Sequence, residues 1–186
     1  MSIDKIKQRV LEDVDPEIKQ QKRKQAVRSY IIVSLQFAVL IIVIIALFYI
    51  MMGLSTIDGN SMYPTLHDGD MVFYKRTSDD YRVGDIVIVD RPNDEEFVKR
   101  IVAVAGDTVN IQGGKVYING EEQILDGPVG ETYAVKDSDI PNPYKVGDGQ
   151  VFVLGDNRLN SEDSRSFGAV KIEDLNGRLI WYCGRL

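Results

Sequence analysis

Cysteine occurs once in these 186 residues, at position 183, and histidine once, at position 67. One thiol cannot close an intramolecular disulfide or build a multi-cysteine zinc or iron–sulfur site, and one imidazole cannot build a histidine-rich metal cluster. No metal or organic cofactor is implied. Positive charge is also scarce: 22 Lys and Arg stand against 28 Asp and Glu, a net charge of −6. Phosphate neutralisation needs clustered cations, so nucleic acid is not an expected partner. No internal repeat or low-complexity tract is present, and nothing in the sequence sets an oligomeric state. At 44% apolar and 27% charged, the composition is that of an ordinary folded chain, long enough for one domain of moderate size with an appendage.

What the chain does have is one long uncharged run. Tyr30 to Leu54, 25 residues, holds no Asp, Glu, Lys or Arg. As a helix it would reach ~37 Å, against a hydrocarbon core of ~30 Å. All its helical faces are apolar apart from Ser34 and Gln36, which favours a transmembrane span over a buried core helix. The run exceeds the 7–15 residues of a signal-peptide apolar region and follows a 29-residue segment, so it reads as an uncleaved anchor. Residues 1–29 carry eight Lys or Arg and five acids. By the positive-inside rule that segment stays in the cytoplasm and residues 55–186 lie outside the membrane. The outer part holds 14 basic and 23 acidic residues, a net −9.

Residues 55–186 are patterned as β structure. Runs rich in Val, Ile, Phe and Tyr recur at 71–76, 85–90, 96–105, 107–112, 115–118, 150–155 and 178–183. Gly113-Gly114 and Asn119-Gly120 read as two-residue hairpin turns between them. Ala169 to Leu175 suggests a helical turn, and residues 126–149, with Gly127-Pro128, Pro141 and Pro143, read as a loop excursion. The expected fold is mainly β: a β-rich extracytoplasmic domain of antiparallel sheets behind a single N-terminal transmembrane helix. Cys183, in the last run, is expected to be core packing.

With one histidine, the options for activating a nucleophile are few. His67 lies beside Asp68-Gly69-Asp70 and six residues from Ser61, a setting that suits a turn better than a Ser-His-Asp triad. The remaining base for a serine is a lysine whose pKa falls from ~10.4 toward ~7–8 through burial. Strand alternation in 96–105 places Lys99 between Phe97 and Ile101 on one face, with Val98, Arg100 and Val102 on the other. A strand lysine that simply points to solvent is the competing reading from this strand alone.

Three segments read together shift that balance. Ser61-Met62-Tyr63-Pro64-Thr65-Leu66, Lys99-Arg100-Ile101 leading to Gly106-Asp107, and Gly155-Asp156-Asn157-Arg158-Leu159-Asn160-Ser161-Glu162-Asp163-Ser164-Arg165 resemble, in order and spacing, the boxes of bacterial type I signal peptidases. Gly84-Asp85-Ile86-Val87 resembles a further box, and the short chain with one anchor is similar to the Gram-positive form. The likeness runs from residue 30 to about 183.

The resemblance implies a cell-membrane serine endopeptidase that removes signal peptides from secretory preproteins after small residues of A-x-A type. It implies Ser61 as nucleophile and Lys99 as general base in a Ser/Lys dyad, Ser161 as a hydroxyl orienting the amine, and Asp163 with Arg165 as a supporting ion pair. The Ser61 backbone N–H would hold the oxyanion. Many members add a hydroxyl two residues before the nucleophile, where this sequence has Gly59. Either a backbone donor replaces it, or the glycine serves a tight turn.

Ile57, Asp58, Gly59 and Asn60, extended beside Ser61, are the expected edge for substrate, with Met62 beside them. Met62, Leu66, Val72 and Phe97 suit pocket lining but suit plain core better. Only six residues separate Leu54 from Ser61, a reach of at most ~25 Å, so the reaction and the bilayer are held close. Two other readings remain. Self-cleaving repressors of the DNA-damage response share the dyad, but they lack an anchor and carry a DNA-binding domain. A non-catalytic anchored β domain that binds a surface ligand would leave Ser61 and Lys99 incidental.

Overall fold

The structure, a computed structural model, describes residues 16–76, 80–91, 95–125, 130–136 and 138–184, together with residues 3, 4, 7 and 10. Two compact units divide it, residues 1–49 and 50–186. Of the sequence features above, Gly127-Pro128 and much of the segment before Pro16 lie outside the described residues.

Helix α1 (Pro16–Met51) begins with proline in its first turn, where a missing N–H costs nothing, and Glu17 beside it complements the helix dipole. It therefore takes in most of the basic approach as well as the apolar run. No residue of it is buried, and it is long and apolar enough to cross a membrane. The helix ends three residues before the apolar run does. Met52, Gly53 and Leu54 belong instead to β1 (Met52–Thr56), where they pair with Lys75, Tyr74 and Phe73. Apolar character cannot distinguish the end of a span from the start of a strand; the ladder to β2 decides it.

The second unit is antiparallel throughout. Its larger sheet uses β1, β2 (Met71–Lys75), β3 (Ile86–Arg91), β4 (Glu95–Val104), β9 (Gln150–Leu154), β10 (Val170–Lys171) and β11 (Leu175–Cys183) in the order β1-β2-β11-β3-β4-β9-β10. The smaller sheet has the order β7-β6-β5-β8, from β5 (Thr108–Gln112), β6 (Lys115–Ile118), β7 (Glu121–Glu122) and β8 (Tyr144–Lys145). The two expected hairpin turns are present, with φ of 60° and 81° at Gly113 and Gly114 and of 55° and 91° at Asn119 and Gly120. Positive φ at both central residues is the turn that matches strand twist.

Residues 169–175 are not a helical turn of the expected kind. Val170 and Lys171 form β10 against Val151 and Gln150, and only Ile172–Asp174 coil, as a 3-10 turn. A helical turn does occur earlier, α2 (Ser164–Phe167), capped by the Asp163 side chain. The 126–149 excursion contributes β8, and Thr132 N–H bonds Gly114 O at 2.8 Å. Cys183 is exposed rather than packed in the core.

β4 is the central strand of the core. Ile101 faces a cluster with Val87, Val89, Val151 and Val153, while Val102 faces another with Val109, Val116, Phe152 and Leu154. A third cluster of Ile57, Met62, Leu66 and Val72 receives Val98. Because both faces of β4 are covered from Lys99 onward, Lys99 and Arg100 are buried too, whereas Glu95 and Glu96 at its start are exposed.

Candidate active site

Residues 59–66 fold into consecutive turns, with Tyr63 N–H donating to Asn60 O at 3.2 Å and Leu66 N–H to Met62 O at 3.0 Å. Met62 and Leu66, four apart, are 1% and 0% exposed in the third cluster. They pin this segment to the core as packing residues, as does Val72. Ser61 is left half-buried at the head of the turn.

Lys99 is 3% exposed. Its Nζ lies 2.9 Å from Ser61 Oγ and 3.1 Å from the Val98 carbonyl oxygen. The half-buried Phe97 ring sits 5.0 Å from the same nitrogen. Burial lowers the Lys99 pKa from 10.5 to about 8, partly opposed by the carboxylates of Asp163 and Glu162. The Asp163 charge is already committed elsewhere. Asp163, fully buried, is occupied by a two-point contact with Arg165, Nε to Oδ1 at 2.7 Å and Nη2 to Oδ2 at 2.8 Å, and by Gly155 N–H at 3.1 Å. With the amine neutral, the Ser61 contact reverses and the hydroxyl donates to nitrogen, the arrangement that general-base activation needs.

Ser161 stands close by without reaching the amine: its hydroxyl donates to Glu162 O at 3.5 Å, a marginal bond. The Ser161 oxygen instead packs on Gly155, where a Cβ would come within 2.2 Å of it and within 2.5 Å of the Ser61 carbonyl oxygen. Gly155 is thus required for the approach of these two segments. His67 is remote from this chemistry. It is 60% exposed, its Nδ1 is 3.8 Å from Asp70 Oδ2, and its ring meets Tyr63 edge-on.

Gly59 has φ of +88°, and open space lies where a Cβ would be. Its N–H donates to Asp68 Oδ1 at 2.8 Å, so that group is committed to the turn. The Ser61 N–H has no hydrogen-bond partner among the described residues. Residues 57–60 are not a continuous extended edge. Ile57 is buried and bonds Asp70 O and Gly69 N–H, and the chain then bends at Gly59.

A groove of about 1100 Å³ runs between residues 55–62 and 95–99, with Leu159 to Glu162 and Val135 also lining it. β1 is the end strand of its sheet, and β9 pairs with β4 only from Arg100 onward. Both walls therefore offer unpaired strand edge, and Ser55 Oγ donates to Glu96 Oε2 at 2.9 Å across them. Sequence patterning missed the support beneath. Asp156, 2% exposed, accepts from Arg100 Nε at 2.8 Å, Arg100 Nη2 at 2.6 Å and Thr65 Oγ1 at 2.6 Å. Arg100 and Asp156 both lie in segments that carried the resemblance, but nothing local paired one with the other.

A hydroxyl on a buried amine, beside an unpartnered N–H in a groove, is the arrangement of a nucleophilic acyl-transfer site. The profile of the family described as "Signal peptidase, peptidase S26" matches residues 28–183, and the chain belongs to that family. Signal peptidase I of Bacillus amyloliquefaciens is 39% identical over 59% of this chain and 63% of its own. Signal peptidase I T of Bacillus subtilis is 37% identical over 63% of this chain and 66% of its own. The chain thus spans just under two thirds of the length of these curated relatives. A solved structure, a signal peptidase I from Enterococcus faecalis, is 29% identical over 56% of this chain and all of its own, with a TM-score of 0.48.

Proposed function

We propose that this chain is a membrane-anchored serine endopeptidase that removes N-terminal signal peptides from secretory preproteins after small residues. Ser61 is the nucleophile and Lys99 its general base. The observation that carries the reading is the 2.9 Å contact between Ser61 Oγ and a lysine nitrogen whose pKa burial has brought to about 8.

Ser61 Oγ attacks the scissile carbonyl carbon while its proton passes to neutral Lys99 Nζ, and the carbonyl π electrons move onto oxygen. The Ser61 N–H donates to that oxyanion. Collapse breaks the C–N bond, and the leaving amine takes the proton from Lys99, leaving an ester on Ser61. Water then attacks the ester with Lys99 again accepting the proton; the C–Oγ bond breaks, Ser61 Oγ takes that proton from Lys99, and the cleaved signal peptide departs with a new carboxyl group. The substrate lies extended in the groove, its backbone bonding the free edges of β1 and of residues 95–99.

The bilayer is the second partner. α1 spans the cell membrane with the basic N-terminal segment in the cytoplasm and residues 55–186 outside. Support comes from the exposed apolar side chains Leu54 on β1, Met71 on β2 and Trp181 on β11, with the half-buried Phe73 paired to both Leu54 and Trp181 and its ring 5.3 Å from that of Trp181. Confinement of enzyme and preprotein to one layer raises their effective concentration without further contacts.

The test is cleavage of a model preprotein by the full chain in detergent. Ser61→Ala and Lys99→Met are each expected to lower kcat by at least about 10³-fold with the fold intact. Full activity in either variant would refute the dyad. A non-catalytic β domain would cleave nothing in any of the three forms.

A further inference from the structure

The direction of the Ser61 N–H is set by the Asn60–Ser61 peptide. That bond is trans, so its C=O and N–H point in opposite directions. Whatever holds the Asn60 carbonyl therefore aims the Ser61 N–H. Two donors hold it: Tyr63 N–H at 3.2 Å and Asn157 Nδ2 at 3.0 Å. Tyr63 belongs to the same turn and moves with it. Asn157 comes from 97 residues away in sequence and is fixed independently, because its neighbour Asp156 is held by Arg100. The Asn157 backbone N–H also donates to Ser61 O at 3.0 Å. One residue thus grips the carbonyls on both sides of Ser61, by side chain before it and by backbone after it.

We infer that the Asn157 carboxamide is a positioning residue for the oxyanion donor, gripping the Asn60 carbonyl so that the Ser61 N–H stays aimed into the groove. This rests on the reading of Ser61 as the nucleophile. The demand for such a device is high here, since Gly59 brings no side-chain donor and its N–H is taken by Asp68. The carboxamide does not touch the amine, Asn157 itself does not line the groove, and it meets the groove wall only through the Asn60 carbonyl. Its loss therefore acts where negative charge develops on the carbonyl oxygen, a feature of the transition state rather than of the bound substrate.

The experiment compares parent, Ser61→Ala, Asn157→Ala, Asn157→Asp and Asn157→Ser as full chains in detergent, with kcat, KM, the pH profile and the thermal midpoint measured for each. Deleting an oxyanion donor outright lowers kcat by ~10²–10³-fold. Freeing its direction is expected to lower kcat by about 10- to 100-fold in Asn157→Ala, with KM within about threefold and the acid limb still centred where the parent's lies. Asn157→Asp, which turns an oxygen toward the Asn60 carbonyl, is expected to be worse than the alanine variant, and serine, too short to span the gap, to match alanine.

A kcat within twofold of the parent in Asn157→Ala, a loss carried by KM, or a shifted acid limb overturns the inference. If no Asn157 variant keeps a thermal midpoint near the parent's, the side chain is structural and the inference also fails. An active Ser61→Ala would instead bring down the reading of the site itself. An inactive Ser61→Ala beside a fully active Asn157→Ala removes only the positioning role.

Discussion

Lys99 and Arg100 are consecutive on β4, 3% and 9% exposed, and their environments are opposites. Arg100 faces a carboxylate squarely, with both guanidinium contacts to Asp156 within 2.8 Å. Lys99 faces a hydroxyl and a carbonyl, while Asp163, one of the two carboxylates whose charge reaches it, is engaged by Arg165. Burial with a dedicated counter-charge leaves a structural cation. Burial without one yields an amine that gives up its proton near pH 8. The lesson is that one strand can carry, side by side, a buried cation with its own counter-charge and a buried amine without one.

Removing the partner from the paired side should have the largest effect on stability. Asp156→Ala strands a buried guanidinium and also frees Thr65, and is expected to destabilise the outer domain by about 3–5 kcal/mol, lowering its thermal midpoint by roughly 10 °C or more. Calorimetry of the full chain checks this. A midpoint within 2 °C of the parent would show that the pair contributes nothing.

The same operation on the unpaired side should go the other way. Below pH 8 the Lys99 proton is bound in both folded and unfolded chains, so the full desolvation penalty applies. It fades as pH rises from about 8 to 10.5. Lys99→Met is therefore expected to raise stability by up to about 3 kcal/mol at pH 7, and by little near pH 11. Denaturant titration at the two pH values reads the difference, and a destabilised variant at pH 7 would mean that the charge is compensated in the fold.

Ser161→Ala should have the smallest effect. Its hydroxyl makes one marginal bond and none to the amine, so kcat is expected to fall by about fivefold or less. A loss near that of Ser61→Ala would place this hydroxyl on the lysine during the reaction.

The long β runs and both hairpin turns were readable from the sequence, because they depend on local alternation and on residues that tolerate positive φ. β1 was not: Met52 to Leu54 continue the apolar character of the helix, and only pairing with β2 separates them. β10 was missed because two residues have no period to detect. Cys183 looked like core because its run is apolar, yet Ile180, Trp181 and Tyr182 beside it are all exposed.

In the site, the strand pattern alone left Lys99 open between burial and solvent, and it was the boxes around Lys99 and Ser61 that singled both residues out. The Arg100–Asp156 pair joins residues 56 apart and the Asn157–Asn60 bond residues 97 apart. The first follows from the register of β4 with β9 and the second from the segment after β9 meeting the turn at residues 60–61, and no local pattern encodes either. Ser161 shows the converse: its position near the amine was legible and its hydrogen bond was not, since rotamer and distance follow from packing on Gly155.

The most direct measurement is kcat/KM for preprotein cleavage by the full chain from pH 6 to 9, which reports the ionisation of the free enzyme's base. If a buried neutral amine activates Ser61, the rate climbs about tenfold per pH unit and levels off near pH 8. Equal rates at pH 6 and pH 9 would contradict the account, because a lysine that works while protonated cannot be the base.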